Sequence, residues 1–376
     1  MPGAIVIPKT MLALRARGPN DLVLDLAAPV PTIRPGYLLI RVTSIALNPS
    51  DYKRLAVFKE DRPHTIGCDV AGRVVACGED CSQDYKPGDR VAGLCYGMKP
   101  GDPSSGAFGQ YALLKGALSM RVPEHVSDAE AATIPVGVNF GGQALYQTLK
   151  LRLPYLPAQT GNDASTGPGP WLLIYGGSTA TGMMALQLAR RSGCRIVTTC
   201  SPRHFQLVKA LGAHEAFDYH DAVKCGPAIR AATGDALLYA LDCVAADSSL
   251  QICADALTSQ PDVAMYTASL PIGDRFPRRD VRHGWTSGYT AFGETTHLAG
   301  NLGEANAADS EFAAGFWRLA GDLLQQDQIR LGPLVHLREG GLAGVPAGLF
   351  ELKGGRVAAG KLVYILASDT EADVSV

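Results

Sequence analysis

The sequence predicts an α/β protein of two domains, one β-rich and one built on a doubly wound parallel sheet. Three observations carry this expectation. At 376 residues the chain is longer than one hydrophobic core comfortably serves. Its first third holds short strand signals separated by Gly and Pro turns. From Trp171 onward strand and helix signals alternate, as they do where helices cover both faces of a parallel sheet.

Taken in order, residues 37–42 read as a strand behind the turn signal Arg34-Pro35-Gly36. Residues 71–78 form a short strand ended by glycine, and Lys86-Pro87-Gly88-Asp89-Arg90 is a turn feeding a strand at 91–94. Together they suggest a small barrel-like domain. Residues 155–170 are rich in Pro, Gly, Ser and Thr without apolar period, and read as an inserted loop. The unbroken apolar run Trp171-Leu172-Leu173-Ile174-Tyr175 marks a strand buried on both faces. A helix at 183–191, a strand at 195–199 and a helix at 205–211 follow, the last closed by Gly212. Strands are expected at 216–219, 237–241 and 263–266, with helical stretches at 228–232 and 250–257 between them. A helix at 311–328, a Gly-rich stretch and a strand at 361–366 end the chain, and that strand is expected to return to the first domain.

Composition narrows the function. A hydrophobic content of 47% with 19% charged residues fits a soluble globular enzyme. A formal charge of −2 offers neither a basic field for nucleic acid nor an acidic tail, so no nucleic-acid partner is expected. No apolar run reaches the roughly 18 residues of a membrane span, and residues 1–10 lack the layout of a secretory signal. The nine cysteines are odd in number and scattered, which suggests reduced thiols in a cytoplasmic protein. Cys77 and Cys81 lie close, but no second pair with ligand spacing accompanies them, so no metal is expected.

The strongest motif is Gly176-Gly177-Ser178-Thr179-Ala180-Thr181-Gly182, between the apolar strand and the next helix. A dinucleotide turn wants glycine where the chain turns, where backbone nears the pyrophosphate and where helix meets strand. Here threonine takes the middle place. Beyond the second strand an NAD site usually shows an acid for the ribose hydroxyls. This chain has Thr199-Cys200-Ser201-Pro202-Arg203 instead, whose hydroxyls and guanidinium suit the 2′-phosphate of NADPH. The same glycine turn is one residue from a Gly-x-Ser-x-Gly nucleophile elbow. A serine hydrolase could take Asp242 and His283, His297 or His336 as partners, yet no oxyanion segment precedes the turn and the β-rich third has no place in that fold.

In Asn48-Pro49-Ser50-Asp51-Tyr52-Lys53 polar groups gather on a turn after a strand, where a scaffold can offer them to a ligand. Here the sequence resembles the medium-chain dehydrogenase/reductase superfamily, through Asn48-Pro49-Ser50-Asp51, Gly67-Cys68-Asp69-Val70-Ala71-Gly72, Lys86-Pro87-Gly88-Asp89-Arg90-Val91 and the later nucleotide-binding unit. Within it the chain resembles the trans-acting enoyl reductases of fungal highly reducing polyketide synthases. The added matches are Tyr175-Gly176-Gly177-Ser178-Thr179-Ala180-Thr181, Thr199-Cys200-Ser201-Pro202, Phe217-Asp218-Tyr219, Tyr239-Ala240-Leu241-Asp242-Cys243, Ala291-Phe292-Gly293-Glu294 and Lys361-Leu362-Val363.

The resemblance implies a GroES-like substrate domain at 1–136 and 291–376 and a Rossmann domain at 137–290. It implies a monomer that passes hydride from NADPH to the β-carbon of an enoyl thioester, presented by the acyl carrier domain of a polyketide synthase or a synthase–peptide synthetase hybrid. Hydride addition builds charge on the thioester oxygen, which a cation or hydroxyl beside it would stabilise. Lys53 is the first candidate, helped by Tyr52 or Ser50, and Ser50, Asp51, Tyr52 and Lys53 are candidates for cofactor contact. Tyr219, Val357 and Ala358 complete the cofactor set. The family's substrate lips correspond to Val136-Gly137-Val138-Asn139-Phe140-Gly141-Gly142-Gln143 and Gly288-Tyr289-Thr290-Ala291-Phe292, with Phe140 standing where relatives often carry threonine. The zinc alcohol dehydrogenases of the superfamily carry a cysteine near Asn48 and Gly-His-Glu in place of Gly67-Cys68-Asp69, so a zinc-bound alkoxide lacks its ligands here. A free quinone or enone reductase and a non-catalytic NADPH-binding protein are the alternatives.

Overall fold

The computed structural model describes residues 7–81, 85–156, 169–298, 301–331 and 334–366. Of the expected loop at 155–170, residues 157–168 lie outside them. The chain divides into two units, residues 1–136 with 291–376, and residues 137–290.

In the first unit Thr10–Gly18 (β1) and Asp21–Pro29 (β2) pair as a hairpin, and β1 also pairs His64–Thr65 (β4). Tyr37–Ala46 (β3), Asp69–Cys77 (β5), Arg90–Leu94 (β6), Tyr111–Lys115 (β7) and Ser119–Arg121 (β8) belong to a seven-stranded sheet. β3 shows why these residues form its centre. Its side chains alternate, Leu38, Ile40 and Val42 entering the main core, Tyr37 and Leu39 a smaller one with Met11, Tyr111 and Leu113. Two short helices interrupt the strands, Pro49–Leu55 (α1) and Asp128–Ala131 (α2).

Pro135–Gly142 (α3) runs straight into a π-helical turn, Gln143–Thr148. The second unit then lays down Trp171–Tyr175 (β9), Ala180–Arg191 (α4), Arg195–Thr199 (β10), Phe205–Ala210 (α5) and Glu215–Phe217 (β11). Ala222–Ala232 (α6), Leu237–Asp242 (β12), Asp247–Ala256 (α7), Met265–Ala268 (β13) and Arg282–Trp285 (β14) follow. All six strands are parallel, in the order β11-β10-β9-β12-β13-β14. This is the doubly wound sheet, and its strand order reverses between β9 and β12, where such folds bind ligands beyond the carboxyl ends.

Thr296–Leu298 (β15) and Asn301–Gly303 (β16) pair, and Ala307–Gln325 (α8), Val335–Arg338 (β17), Gly341–Lys353 (α9) and Lys361–Ile365 (β18) end the first unit. β18 lies between β17 and β3, so the returning strand is found where the sequence predicts it.

Four differences from the sequence reading have physical reasons. The polar turn after β3 is helical, with Asn48 at its cap and Pro49 in the first position, where a missing N–H costs nothing. Helix α4 begins three residues before 183, at its Thr179 cap. The strand expected at 263–266 is displaced to Met265–Ala268, the register that pairs Met265 with Tyr239, leaving Val263 exposed. The Gly-rich stretch contains α9, which carries Pro346 and several glycines and is held by burial of Leu342, Val345 and Leu349 rather than by propensity.

Candidate cofactor and active site

The glycine turn leaves β9 at Gly176, whose φ of +81° suits glycine. Two bonds clamp it to β10: Gly176 N–H donates to Thr199 Oγ1 (3.0 Å) and Gly177 N–H to the Thr199 carbonyl (2.9 Å). A Cβ at Gly177 would overlap Thr198 Oγ1, and one at Gly182 would overlap the Gly176 carbonyl. The middle threonine now has a task. Thr179 Oγ1 accepts the Gly182 N–H (3.0 Å) as the N-cap of α4. The amides of Ala180 and Thr181 open a twelve-residue helix and have no intrahelical acceptor, so the turn presents N–H groups and a positive helix end beside half-exposed Ser178. This cradle fits a pyrophosphate.

At the end of β10 the predicted residues part ways. Thr199 and Cys200 are buried, Thr199 holding the turn and the Cys200 thiol pushed up to about 11 by burial and then by Asp218. Ser201 is half-exposed, 3.5 Å from the Tyr219 hydroxyl, and Pro202 and Arg203 are exposed on a short helical turn, Pro202–His204. Arg203 Nε donates to His204 Nε2 (3.1 Å). Ser201, Arg203 and Tyr219 therefore form the outward-facing group of this strand end, while Thr199 and Cys200 support it from within.

The hydrolase reading does not find its triad. Asp242 is buried and accepts from Val244 N–H (2.8 Å), Ala245 N–H (2.9 Å), Ser249 Oγ and Tyr266 Oη (2.9 Å). Four donors saturate it, and it serves to order the loop after β12. His283 binds the Val281 carbonyl and stacks on Phe276, and His336 binds the carbonyls of Ala358 and Ala359 in the other unit. The His297 side chain lies outside the described residues.

In the first unit, α1 sorts the Asn48–Lys53 group by helical period. Ser50 and Tyr52 are half-buried and Lys53 is exposed, whereas Asp51 turns inward with Leu55, one turn on, and is 1% exposed. Asp51 Oδ2 accepts the Asn48 N–H (2.7 Å) and so closes the helix start. It was expected at the cofactor, and instead it lies beneath the helix. Burial lifts its carboxyl to about 7, opposed by the Asn48 bond. Partial desolvation lowers the Lys53 ammonium, and burial raises the Tyr52 phenol.

Beneath α1 lies a group that sequence reasoning missed. Asp69, fully buried, accepts Asn48 Nδ2 (2.8 Å), the Val136 N–H (2.8 Å) and the Lys361 ammonium, itself 3% exposed. The only signal for Lys361 was its place in the terminal Lys361-Leu362-Val363 match, and nothing local announces a partner 292 residues away. Asp69 takes the place of the glutamate in the Gly-His-Glu segment of the zinc enzymes, and here it is committed to a lysine. Among the described residues no group of three or more His, Cys, Asp or Glu could hold a metal. Cys77 and Cys81 each bond a backbone carbonyl, of Tyr85 and Tyr37.

Parts of the two expected substrate lips, residues 137–143 and 288–290, meet within the second unit. Asn139 Nδ2 donates to the Gly288 carbonyl (2.7 Å), and Gln143 Nε2 to Thr290 Oγ1 (3.0 Å) at the start of the π-helical turn. Both side chains are buried and act as ties. Gly137 and Gly141 face α4, where added Cβ atoms would stand 3.2 Å from Met184 Cβ and 3.5 Å from Leu188 Cδ1, so they serve close helix packing. Val138, Phe140 and Gly142 are buried too, as are Ala291 and Phe292, the latter ring 5.4 Å from Tyr96. Val136, Gly288, Tyr289 and Thr290 are half-exposed, as are Val357 and Ala358.

Residues 34–124 match the family model of the alcohol dehydrogenase GroES-like domain, and residues 180–283 that of the zinc-binding dehydrogenase. The chain is 40% identical over 338 residues to trans-enoyl reductase ACTTS2 of Alternaria alternata, covering 89% of this chain and 93% of that protein. It is 38% identical over 362 residues to trans-enoyl reductase resD of Aspergillus sclerotiorum, covering 94% and 99%. Among solved structures, a quinone oxidoreductase from Coxiella burnetii superposes with a TM-score of 0.69 at 23% identity, over 96% of this chain and 100% of that one. At that identity the likeness bears on fold alone.

Proposed function

The chain belongs to the trans-enoyl reductases of the medium-chain dehydrogenase/reductase superfamily, nicotinamide-dependent oxidoreductases acting on a carbon–carbon double bond, and on that premise we propose that it is specific for NADPH and takes its enoyl thioester from the acyl carrier domain of a polyketide synthase. The observation that carries the cofactor choice is the acid-free end of β10. Ser201, Arg203 and Tyr219 supply two hydroxyls and a guanidinium there, and the region 199–204 has no carboxylate to repel a 2′-phosphate. The pyrophosphate would rest on the Ala180 and Thr181 amides at the start of α4, beside Ser178.

When bound, NADPH supplies the hydride that reaches the β-carbon. The chain's own part is to hold the thioester oxygen as charge grows on it and to let a proton reach the α-carbon. Lys53 is exposed on α1 with a lowered pKa, which suits an ammonium that binds an enolate oxygen and gives up a proton readily. Tyr52, beside it, and Ser50 supply hydroxyls for the same oxygen or for the nicotinamide ribose. The partner reading rests on the kind of relative this chain has, and the chain is taken to work as a monomer.

Steady-state reduction of a crotonyl thioester with NADPH or NADH tests the reading. Wild type is expected to prefer NADPH, and Arg203→Ala to weaken NADPH by about tenfold or more while NADH changes little, the size of a lost charge-assisted contact. Equal losses for both cofactors count against the 2′-phosphate assignment. Lys53→Ala is expected to lose turnover, and full turnover removes its role. Activity on quinones with none on thioesters selects the free quinone reductase instead.

A further inference from the structure

Helix α1 presents Tyr52 and Lys53 but is only seven residues long, too short to hold its shape by itself in water. Its direction has to come from what grips its first turn. Asn48 is that grip, through its N–H on Asp51 and its side-chain amide on Asp69. Asp69 in turn sits on β5 and is held by the Lys361 ammonium on the same oxygen that takes Asn48, with the Val136 N–H on the other. Lys361 opens β18, and the neighbouring Leu362 carbonyl accepts the Leu47 N–H (2.9 Å), so backbone and side chain of one strand end both reach the entry to α1.

A buried ion pair of this kind adds little net stability, because desolvation offsets the attraction, and apolar pairs of like volume often do as well. Its use is then geometric. The charge of the same ammonium also favours the ionised form of Asp51 against burial, while its bond goes to Asp69.

We infer that Lys361 is a positioning residue for α1, acting through Asp69 and Asn48 to set the direction in which Tyr52 and Lys53 are presented. The inference rests on the reading of α1 as the catalytic helix given above. The full-length protein tests it as Lys361→Met and as the neutral pair Lys361→Met with Asp69→Asn, which keeps an acceptor for Asn48. Two readouts are needed: hydrogen exchange of residues 47–58, and kinetics on a crotonyl thioester. In Lys361→Met, exchange over α1 should rise about tenfold, and kcat should fall about tenfold with KM and NADPH affinity within about threefold. In the neutral pair the melting temperature should recover while kcat stays low. Unchanged exchange over α1 in folded Lys361→Met overturns the inference, as does recovery of kcat together with stability in the pair. Should Lys361→Met fail to fold, the pair decides alone on the same two readouts. Faster exchange with full kcat sustains the grip of Lys361 on α1 and overturns the catalytic reading of the helix instead.

Discussion

At Asp51 a carboxylate is buried at 1% exposure with its Oδ2 on the Asn48 amide, and burial lifts it to about 7 against that bond. In the unfolded chain its pKa is about 3.9. The folded value is the higher one, so the folded chain keeps its proton longer. The group's stabilising contribution is complete below about pH 4 and is lost as pH rises through about 7, with a slope of up to roughly 1.4 kcal/mol per pH unit. Asp51→Asn keeps an acceptor for the Asn48 amide and removes the titration. Denaturant midpoints measured between about pH 5 and pH 8 should fall with pH more steeply in wild type than in the variant. Parallel curves would sink the assignment. The sequence marked Asp51 as one of a polar group on a turn, and only the helical period of α1 separates it from Ser50, Tyr52 and Lys53. Thr179 was legible as an exception without a reason, which its cap on Gly182 now supplies. Lys361 is legible only as part of the terminal Lys361-Leu362-Val363 match, and its role is not, since a buried pair between positions 69 and 361 leaves no local pattern.

Among elements, the unbroken apolar strand β9 and the helices that follow it were readable because burial on both faces and a 3.6-residue period are written into contiguous residues. Helix α9 and the edge strand β14 were not. α9 has glycine and proline where a helix wants alanine, and β14 has no apolar alternation because both its faces are partly open. Glycines in two helices test whether packing or propensity governs these elements. Gly315 in α8 is exposed with nothing within 4 Å of an added Cβ, so Gly315→Ala should stabilise by about 0.5–1 kcal/mol. Gly348 in α9 has the same propensity to gain, yet a Cβ there would overlap the Tyr364 hydroxyl and stand 2.9 Å from Leu47 Cδ1. Overpacking costs about 1–3 kcal/mol and outweighs the gain, so Gly348→Ala should destabilise. Melting temperatures that move in the same direction for both variants would contradict the packing account of α9.

For the molecule as a whole, the first unit is discontinuous in sequence, and its two parts must be joined by contacts between distant residues. The β18–β3 ladder is one such joint. Glu294 is another, just after the chain returns at 291. Its carboxylate accepts the Tyr37 hydroxyl (2.7 Å) and pairs with Lys99, while the Lys115 ammonium bonds the Phe292 carbonyl. Burial works against the Glu294 charge, but the Lys99 and Tyr37 bonds prevail and hold the carboxyl below its usual range. Glu294→Ala leaves the half-buried Lys99 and the buried Tyr37 without that acceptor, at a cost of about 1–2 kcal/mol, between an exposed pair and a buried one. Because the tie is internal to the first unit, the loss should be local. Hydrogen exchange should quicken in β3 and β7, which carry Tyr37 and Lys115, while the parallel strands β9, β10 and β12 keep their protection. Equal loss in both sheets would mean that the two units open as one cooperative body, and that Glu294 guards the whole chain rather than the joint of one unit.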